Sequence, residues 1–329
     1  STEKSLDDLI DEIIKRPHNF TAAMFSKSIL TDNGIEVRKE VNLAAKNSVE
    51  KQSEYLYGQQ RGGLCWFAFV DHSSKGFDKN FYFSVPSEKP HPRQPAQIRA
   101  IIRAMVEKSL LIPGGSELLD NYTIDSLGRI FNELFLNTHE HGSRNIRSSD
   151  WIKPGIRIIY TNGINLSASS AESSVEHDPA LKKYIAHNDG RARYVEISII
   201  DSGLGYCRRW QADHKGLENL PENILDEYKV FKECFRFRQS SSKEEYKGNG
   251  LPIVMDRLTT LKGFMRVRSG RLALYRDFVS SPYRNDDECD FYDWDCNELA
   301  KNKLTAKSEV EGVAITLLIP LQSKSLEKL

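Results

Sequence analysis

The sequence lacks several features that would assign it to a specialised class. No stretch of it approaches 18 consecutive apolar residues, the length that a membrane-spanning helix needs. Lys and Arg together number 46, and so do Asp and Glu, so the basic excess of a dedicated nucleic-acid binder is missing. The opening residues, Ser1 to Lys4, are polar and do not resemble the apolar part of a signal peptide. We therefore expect a cytoplasmic protein that works neither in a membrane nor as a dedicated nucleic-acid binder.

Cysteine is also scarce, with five residues in a chain of 329. They are scattered, and no two of them form the CxxC pair found in many zinc sites and redox motifs. A structural zinc site needs four ligands, and no matching set of Cys and His stands near any of these cysteines. Reduced thiols are the expectation.

The chain is long enough for about two domains. The segment 86–95 carries four prolines, which exclude a helix interior or a central strand, so it is a candidate linker. We predict an N-terminal α/β module of unknown role over 1–95 and a second domain over 96–329. Within that domain, the segments near 163–190 and 277–308 are expected to be insertions.

Hydrophobic periodicity predicts the secondary structure. Helices are expected over residues 4–16, 96–111, 124–141 (with Asp125 as N-cap) and 251–261. Strands are expected over residues 64–70, 80–85, 156–160, 194–200, 264–268, 272–275 and 312–320. The order of these elements predicts the α+β class, in which the C-terminal domain has a mixed sheet with the helices grouped on one face and the N-terminal module is smaller.

The helix predicted over 124–141 carries Glu133, Asn137 and His141 at spacings of four, which places them in one row. The Asn oxygen could coordinate Mg²⁺, and the Glu carboxylate could activate a water for attack on a phosphate. A solvated polar face would give the same pattern.

A second motif follows the strand predicted over 194–200, where Asp201 is succeeded by Gly203 and Gly205. Glycines let the backbone turn tightly and let a flat ligand approach, and the carboxylate could accept a hydrogen bond from an exocyclic amino group. A simple strand-ending turn is the alternative.

A third motif, Lys247-Gly248-Asn249-Gly250-Leu251, leads into an apolar helix. Glycines at a helix start expose backbone N–H groups that can bind phosphate. The spacing fits neither the GxxxxGK[ST] loop nor the GxGxxG fingerprint. The alternative interpretation is an ordinary helix start without a ligand.

Taken in this order, the three motifs resemble the N box and the two glycine boxes of the GHKL superfamily, most closely its histidine-kinase and anti-sigma-factor-kinase branch. The resemblance covers roughly residues 96–320. It implies the Bergerat fold, an α/β sandwich, with ATP and Mg²⁺ as ligands.

The resemblance also implies roles for single residues. Asn137 would coordinate Mg²⁺, Asp201 would bind the adenine amino group, and Glu133 would be the general base. Further nucleotide contacts would come from His141, Gly203, Gly205, Lys247, Gly248, Asn249, Gly250 and Leu251. Gly203 and Gly205 would also hinge a lid over about 206–247.

Departures from the family pattern shape the expected function. Pro252 replaces a further glycine of the second box. No phosphoacceptor-histidine segment and no transducer domain with a catalytic Lys are recognisable, so we expect a slow ATPase whose nucleotide state regulates a partner. A protein kinase acting on a partner Ser, Thr or His, and a non-catalytic nucleotide sensor or scaffold, remain alternatives. A partner would bind through 277–308, which is rich in acidic and aromatic residues, or through the N-terminal module, and a homodimer stays open.

Overall fold

A computed structural model describes most of the chain. It covers residues 5–71, 77–83, 90–111, 115, 118–147, 149–166, 175, 177–188, 193–214, 216, 220–236, 250–284 and 288–321. The helices in these ranges are α1 (Leu6–Ile14), α2 (Pro17–Phe25), α3 (Arg38–Lys51), α4 (Pro95–Leu110), α5 (Asn121–Asn137), α6 (Pro179–His187), α7 (Gly205–His214), α8 (Ile224–Phe235) and α9 (Gly250–Thr260). The strands are β1 (Gln59–Arg61), β2 (Leu64–Val70), β3 (Ile156–Asn165), β4 (Arg193–Asp201), β5 (Phe264–Gly270), β6 (Leu272–Asp277), β7 (Tyr292–Asp293) and β8 (Val310–Leu321).

All eight strands form one sheet in the order β1-β2-β3-β4-β8-β5-β6-β7. The α+β class is therefore confirmed. Every ladder between these strands is antiparallel, so the expectation of a mixed sheet was wrong in that respect. Strand β8 lies in the centre of the sheet, antiparallel to both β4 and β5. Local sequence pattern predicts neither the position nor the direction of such a strand.

One face of the sheet carries the principal core, a cluster formed with helices α4, α5, α8 and α9. In β2 the alternate residues Cys65, Phe67 and Phe69 point into it, as the period of two of a strand requires. Both phenylalanines are fully buried, and each contributes about 1.5–3 kcal/mol by leaving water.

The other face of the sheet is also covered by helices. Trp66 and Ala68 of β2 pack there against α1, α2 and α3, with Phe20 meeting the Trp66 ring edge-on at 5.3 Å. Further along the same face, Tyr184 of α6 packs against Tyr194 and Phe264. For the C-terminal domain, helices were predicted on one face only, and α6 corrects this, because it packs on the apolar side chains of the second face.

Two local predictions were wrong. Residues 79–81 form a turn, since the Asp78 carbonyl accepts hydrogen bonds from the N–H groups of Phe81 and Tyr82. Tyr82 forms only an isolated antiparallel bridge with Pro92, and 84–85 lie outside the described residues. The aromatic side chains of Phe81 and Tyr82, which suggested a strand, are buried in the principal core, whereas Phe83 is exposed. The N-cap of α5 is Asp120, which accepts a hydrogen bond from Thr123 N–H at 2.7 Å, while Asp125 lies inside the helix.

The two predicted insertions contain regular structure. Within 163–190, β3 continues to Asn165 and α6 packs on the sheet. Within 277–308, Cys289, Phe291 and Ala300 are buried in the principal core, and Arg266 lies 4.5 Å from the ring centre of Trp294. The aromatic residues of this segment are therefore partly used for internal packing, and its role as a partner surface stays a prediction.

The predicted boundary at residue 95 does not coincide with a break in the sheet. β2 pairs with β3 over seven residues, from Leu64 opposite Asn162 to Val70 opposite Ile156. The candidate linker lies partly outside the described residues, and its last residue, Pro95, is the first of α4. Whether 1–95 folds as a module of its own stays a prediction.

Candidate functional site

The first motif lies at the C-terminal end of α5. The stripe formed by Leu127, Phe131 and Leu134 is buried in the principal core, so the neighbouring side of the helix carries Glu133 and Asn137 in a half-buried position. The α-helix ends at Asn137, and Thr138–Gly142 forms a π-helical turn. Since such a turn is wider than an α-turn, the predicted row does not continue to His141 at α-helical spacing.

The π turn delivers Gly142 to the carboxylate of Asp201, the last residue of β4. A Cβ atom at residue 142 would lie 2.5 Å from Asp201 Cγ and 2.6 Å from its Oδ2, so a side chain at this position would collide with the carboxylate. The first and second motifs, about sixty residues apart in the sequence, are therefore in direct contact. Only glycine permits this approach.

The turn after β4 is equally close-packed. Gly203 donates its N–H to Asp201 Oδ1 at 2.9 Å, and a Cβ atom at residue 203 would overlap the carbonyl of Gly142. Gly205, with φ of 75°, starts α7 and lies against Ser269 of β5. Gly312 of β8, with φ of 78°, approaches the Asp201 carbonyl so closely that a Cβ atom there would overlap it.

The carboxylate of Asp201 is buried, and this changes its protonation. Burial raises the pKa of Asp201 to about 6, while the Gly203 N–H and the Arg157 guanidinium act in the opposite direction. Above that pH the group is an anion that has lost most of its water, and such an acceptor forms strong hydrogen bonds with a donor that enters the site.

The start of α9 reaches the first motif from the other side. A Cβ atom at Gly250 would lie 2.9 Å from Glu133 Oε2 and 3.9 Å from Asn137 Oδ1. The two side-chain oxygens therefore face the N-terminal turn of α9, where the helix dipole favours anions. Leu251 is buried in the principal core, so its role here is packing.

Burial also raises the pKa of Glu133, although the amide of Asn132 lowers it by donating to Oε1 at 3.5 Å. The nearby Glu140 carboxylate adds to the increase. A more basic carboxylate takes a proton from water more readily than a solvated one.

Lys247, Gly248 and Asn249 lie outside the described residues. The same holds for 215, 217–219 and 237–247 of the predicted lid, whereas 205–214 and 224–235 form α7 and α8. Tyr228, Phe231 and Phe235 of α8 are buried in the principal core.

Sequence reasoning missed three residues that lie around the site. Arg157 of β3 stands opposite Asp201 of β4, and Asp71 forms a buried ion pair with Arg157. His139, in the π turn, is buried beside Tyr82 and Trp151. Asp71 directly follows the apolar strand β2, and Asp201 is the last residue of β4. This repeated pattern of an apolar strand with Asp at its end was the sequence signal that could have identified Asp71.

Among the described residues, no group of three or more His, Cys, Asp or Glu side chains is arranged to hold a metal ion. None of the helices in this part of the chain has the length and apolar character needed to cross a bilayer. All five cysteines are free thiols, as predicted. Comparison with protein families, with curated proteins and with solved structures gives no match.

Proposed function

We propose that this chain binds ATP with Mg²⁺ and hydrolyses it. One observation carries the proposal: α5 and its π turn contact both other motifs, through Gly142 against Asp201 and through Glu133 against Gly250. Residues that lie far apart in the sequence thus form one contiguous cluster, with a proposed recognition carboxylate, Asp201, at one end and a proposed catalytic carboxylate, Glu133, at the other. We call Gly142, Asp201 and Gly203 the adenine end, and Glu133, Asn137 and Gly250 the phosphate end.

At the adenine end, Asp201 accepts the amino group of adenine. Gly203 N–H holds Oδ1, and Oδ2 packs against Gly142. A hydrogen bond to a charged acceptor contributes about 1.5–3 kcal/mol, which is enough to distinguish an amino group from a carbonyl oxygen at the same ring position.

At the phosphate end, the first turn of α9 binds phosphate oxygens through its N–H groups. The Asn137 oxygen is a ligand suited to Mg²⁺, which takes few protein oxygens and completes its shell with water and phosphate. When bound, Mg²⁺ would neutralise phosphate charge. A site of this composition needs no cluster of acidic side chains.

Glu133 is the general base. Its half-buried carboxylate, with a raised pKa, accepts a proton from the water that attacks the γ-phosphate. Its place beside the start of α9 puts the base next to the bound phosphates. The slow turnover expected from the sequence, and regulation of a partner by the nucleotide, stay predictions.

The test is calorimetric titration with Mg²⁺-ATP, together with phosphate release, on the wild type, Glu133→Gln and Asp201→Asn. We expect Glu133→Gln to bind ATP within about threefold of the wild type and to lose about 10²–10⁴-fold in turnover. Asp201→Asn should weaken binding by about 10–100-fold. Asp125→Asn, an exposed carboxylate on the same helix, is the matched control and should change neither quantity.

Other outcomes would select other functions. Label from γ-phosphate that remains on a protein would indicate a kinase. Binding without turnover, unaffected by Glu133→Gln, would indicate a nucleotide sensor. A folded wild type that binds no Mg²⁺-ATP would contradict the proposal.

A further inference from the structure

A buried ion pair joins the N-terminal part of the chain to the strand beside the site. Arg157 donates from Nε to both oxygens of Asp71, at 3.0 and 2.9 Å, and from Nη2 to Oδ1 at 2.6 Å. Both side chains are only 1% exposed. Burial alone would lower the pKa of the Arg157 guanidinium, but the Asp71 carboxylate raises it above its usual value. Arg157 is therefore a permanent cation inside the protein.

Arg157 also stands directly opposite Asp201 in the sheet. Arg157 and Asp201 are partners in the antiparallel ladder of β3 and β4, so their side chains leave the same face of the sheet with Cβ atoms about 5 Å apart. Arg157 also reaches the π turn, where Nη1 donates to Thr138 Oγ1 at 3.4 Å. Two carboxylates, Asp71 and Asp201, thus lie within reach of one cation.

We propose that Asp71 is a positioning residue of the nucleotide site, which holds the Arg157 guanidinium in a forked pair and so keeps the Asp201 carboxylate available to the adenine amino group. The inference rests on the proposed function. It also gives the N-terminal part of the chain a role, since Asp71 lies outside the range in which the sequence resembles nucleotide-binding proteins.

The positioning role of Asp71 follows from what Arg157 would do if the Asp71 carboxylate were removed. A guanidinium does not lose its proton, and a buried cation without a counter-ion is costly, so it moves to the nearest anion. We expect that anion to be Asp201, which stands opposite Arg157 in the ladder and is already under the influence of its charge, and its two oxygens suit the fork of the guanidinium. A carboxylate bound in this way no longer accepts from the amino group of adenine, and the guanidinium beside it becomes a donor.

The base preference of the site reports this exchange. Inosine triphosphate carries an oxygen where ATP carries the amino group, so it presents an acceptor in place of a donor. When the Asp201 carboxylate is not bound to Arg157, the site favours ATP. When the Arg157 guanidinium is bound to that carboxylate, the site favours neither nucleotide or favours inosine triphosphate. General damage to the fold would weaken both nucleotides together and leave their ratio unchanged.

The experiment measures the affinities of the full chain for Mg²⁺-ATP and Mg²⁺-inosine triphosphate in four forms: wild type, Asp71→Asn, Asp71→Asn/Arg157→Met and Asp78→Asn. We expect Asp71→Asn to lower the ratio of the two affinities at least tenfold. The double variant should restore the ratio to within threefold of the wild type, because the cation is gone. Asp78→Asn is the matched control, a buried carboxylate of the same region that accepts from Ser53 Oγ and Asn80 N–H, and it should keep the ratio.

The outcomes separate this inference from the proposed function. A wild type that prefers ATP, together with an Asp71→Asn variant that keeps the preference, overturns the positioning role and leaves ATP binding intact. A wild type that binds neither nucleotide overturns both. If Asp71→Asn alone does not fold, the double variant decides: a ratio near that of the wild type supports the inference, and a lost preference contradicts it.

Discussion

The adenine end of the site is formed by backbone packed against backbone, whereas the phosphate end is formed by the tips of side chains. Gly142 and Gly203 touch each other and the Asp201 carboxylate with no room for a methyl group. At Gly250 the nearest atom is the terminal oxygen of Glu133, at the end of a flexible chain.

Because of this difference, the two ends should differ in how readily their atoms can move. Backbone atoms held by a strand and a helical turn cannot move apart without disturbing the sheet, so the Asp201 carboxylate is preorganised. Glu133 can adopt another rotamer at small cost, so the phosphate end can adjust to its ligand. We expect base recognition to be rigid and the catalytic geometry to be adjustable.

The largest effect on Mg²⁺-ATP binding is expected when glycine is replaced by alanine at each end in turn. Gly142→Ala places a methyl group 2.5 Å from Asp201 Cγ and should weaken Mg²⁺-ATP binding by about 100-fold or more, because overpacking and a displaced charged acceptor together cost at least about 3 kcal/mol. Gly250→Ala should weaken binding less than about fivefold and should mainly reduce turnover, since Glu133 is the group that moves. Calorimetry and phosphate release measure both.

Gly34→Ala is the control for that pair, because Gly34 has φ of 77° with no atom within 4 Å of a Cβ and lies far from both ends in the sequence. It should reduce stability by about 1 kcal/mol through backbone strain and leave binding unchanged. Equal losses of binding for Gly142→Ala and Gly250→Ala would show that the two ends do not differ as described.

The second effect concerns stability at the adenine end. The pKa of about 6 for folded Asp201 lies above the ordinary 3.8, so between these pH values the folded chain holds a proton that the unfolded chain releases. The free energy of unfolding therefore falls as pH rises through this window, by up to about 3 kcal/mol. Asp201→Asn should stabilise the protein by about 1–3 kcal/mol at pH 8 and progressively less toward pH 4.

Urea unfolding of Asp201→Asn and the wild type across this pH range measures that difference. A variant that loses ATP binding but gains stability would mark Asp201 as a group retained for function. A variant less stable than the wild type at pH 8 would contradict the destabilising effect of the buried Asp201 carboxylate.

The smallest effect tests the π turn that joins the two ends. Burial, and to a lesser extent the nearby Arg157 and Arg144, lower the pKa of His139 to about 2. Since the unfolded chain binds the proton below about pH 6.5, stability is lost as pH falls, by about 2 kcal/mol between pH 7.5 and 5. His139→Phe should remove this loss while costing about 1 kcal/mol at pH 7.5 through the hydrogen-bonding contact of Nδ1 with Tyr82 Oη.

Unfolding at the two pH values, with Mg²⁺-ATP binding measured in parallel, checks the role of His139. Because the turn directly follows Asn137 and ends at Gly142, acid should weaken both ends of the site in the wild type more than in the variant. An unchanged pH slope in His139→Phe would place the acid sensitivity elsewhere.

Much of the secondary structure was predictable, because periodicity and turn residues act over a few positions. The strand around Phe67, the helix carrying Glu133 and the strand ending at Asp201 were all expected from pattern alone. The turn at Phe81 and Tyr82 was mistaken for a strand, since aromatic residues are favoured both by strands and by cores. The end of the α-helix at Asn137 was missed because a π turn leaves no distinct local pattern.

The sequence by itself determined which residue types stand at the ends of the predicted elements: a carboxylate after an apolar strand, glycines after it, and Glu and Asn on the polar side of an apolar helix. Only the tertiary structure decided that Gly142 meets Asp201, that Glu133 meets Gly250, and that Asp71 pairs with Arg157, 86 residues away. Such contacts depend on strand order, on register and on the depth at which helices pack, which are set by the whole core together. Local pattern specifies the chemical groups, and the packing of distant segments brings them within bonding distance.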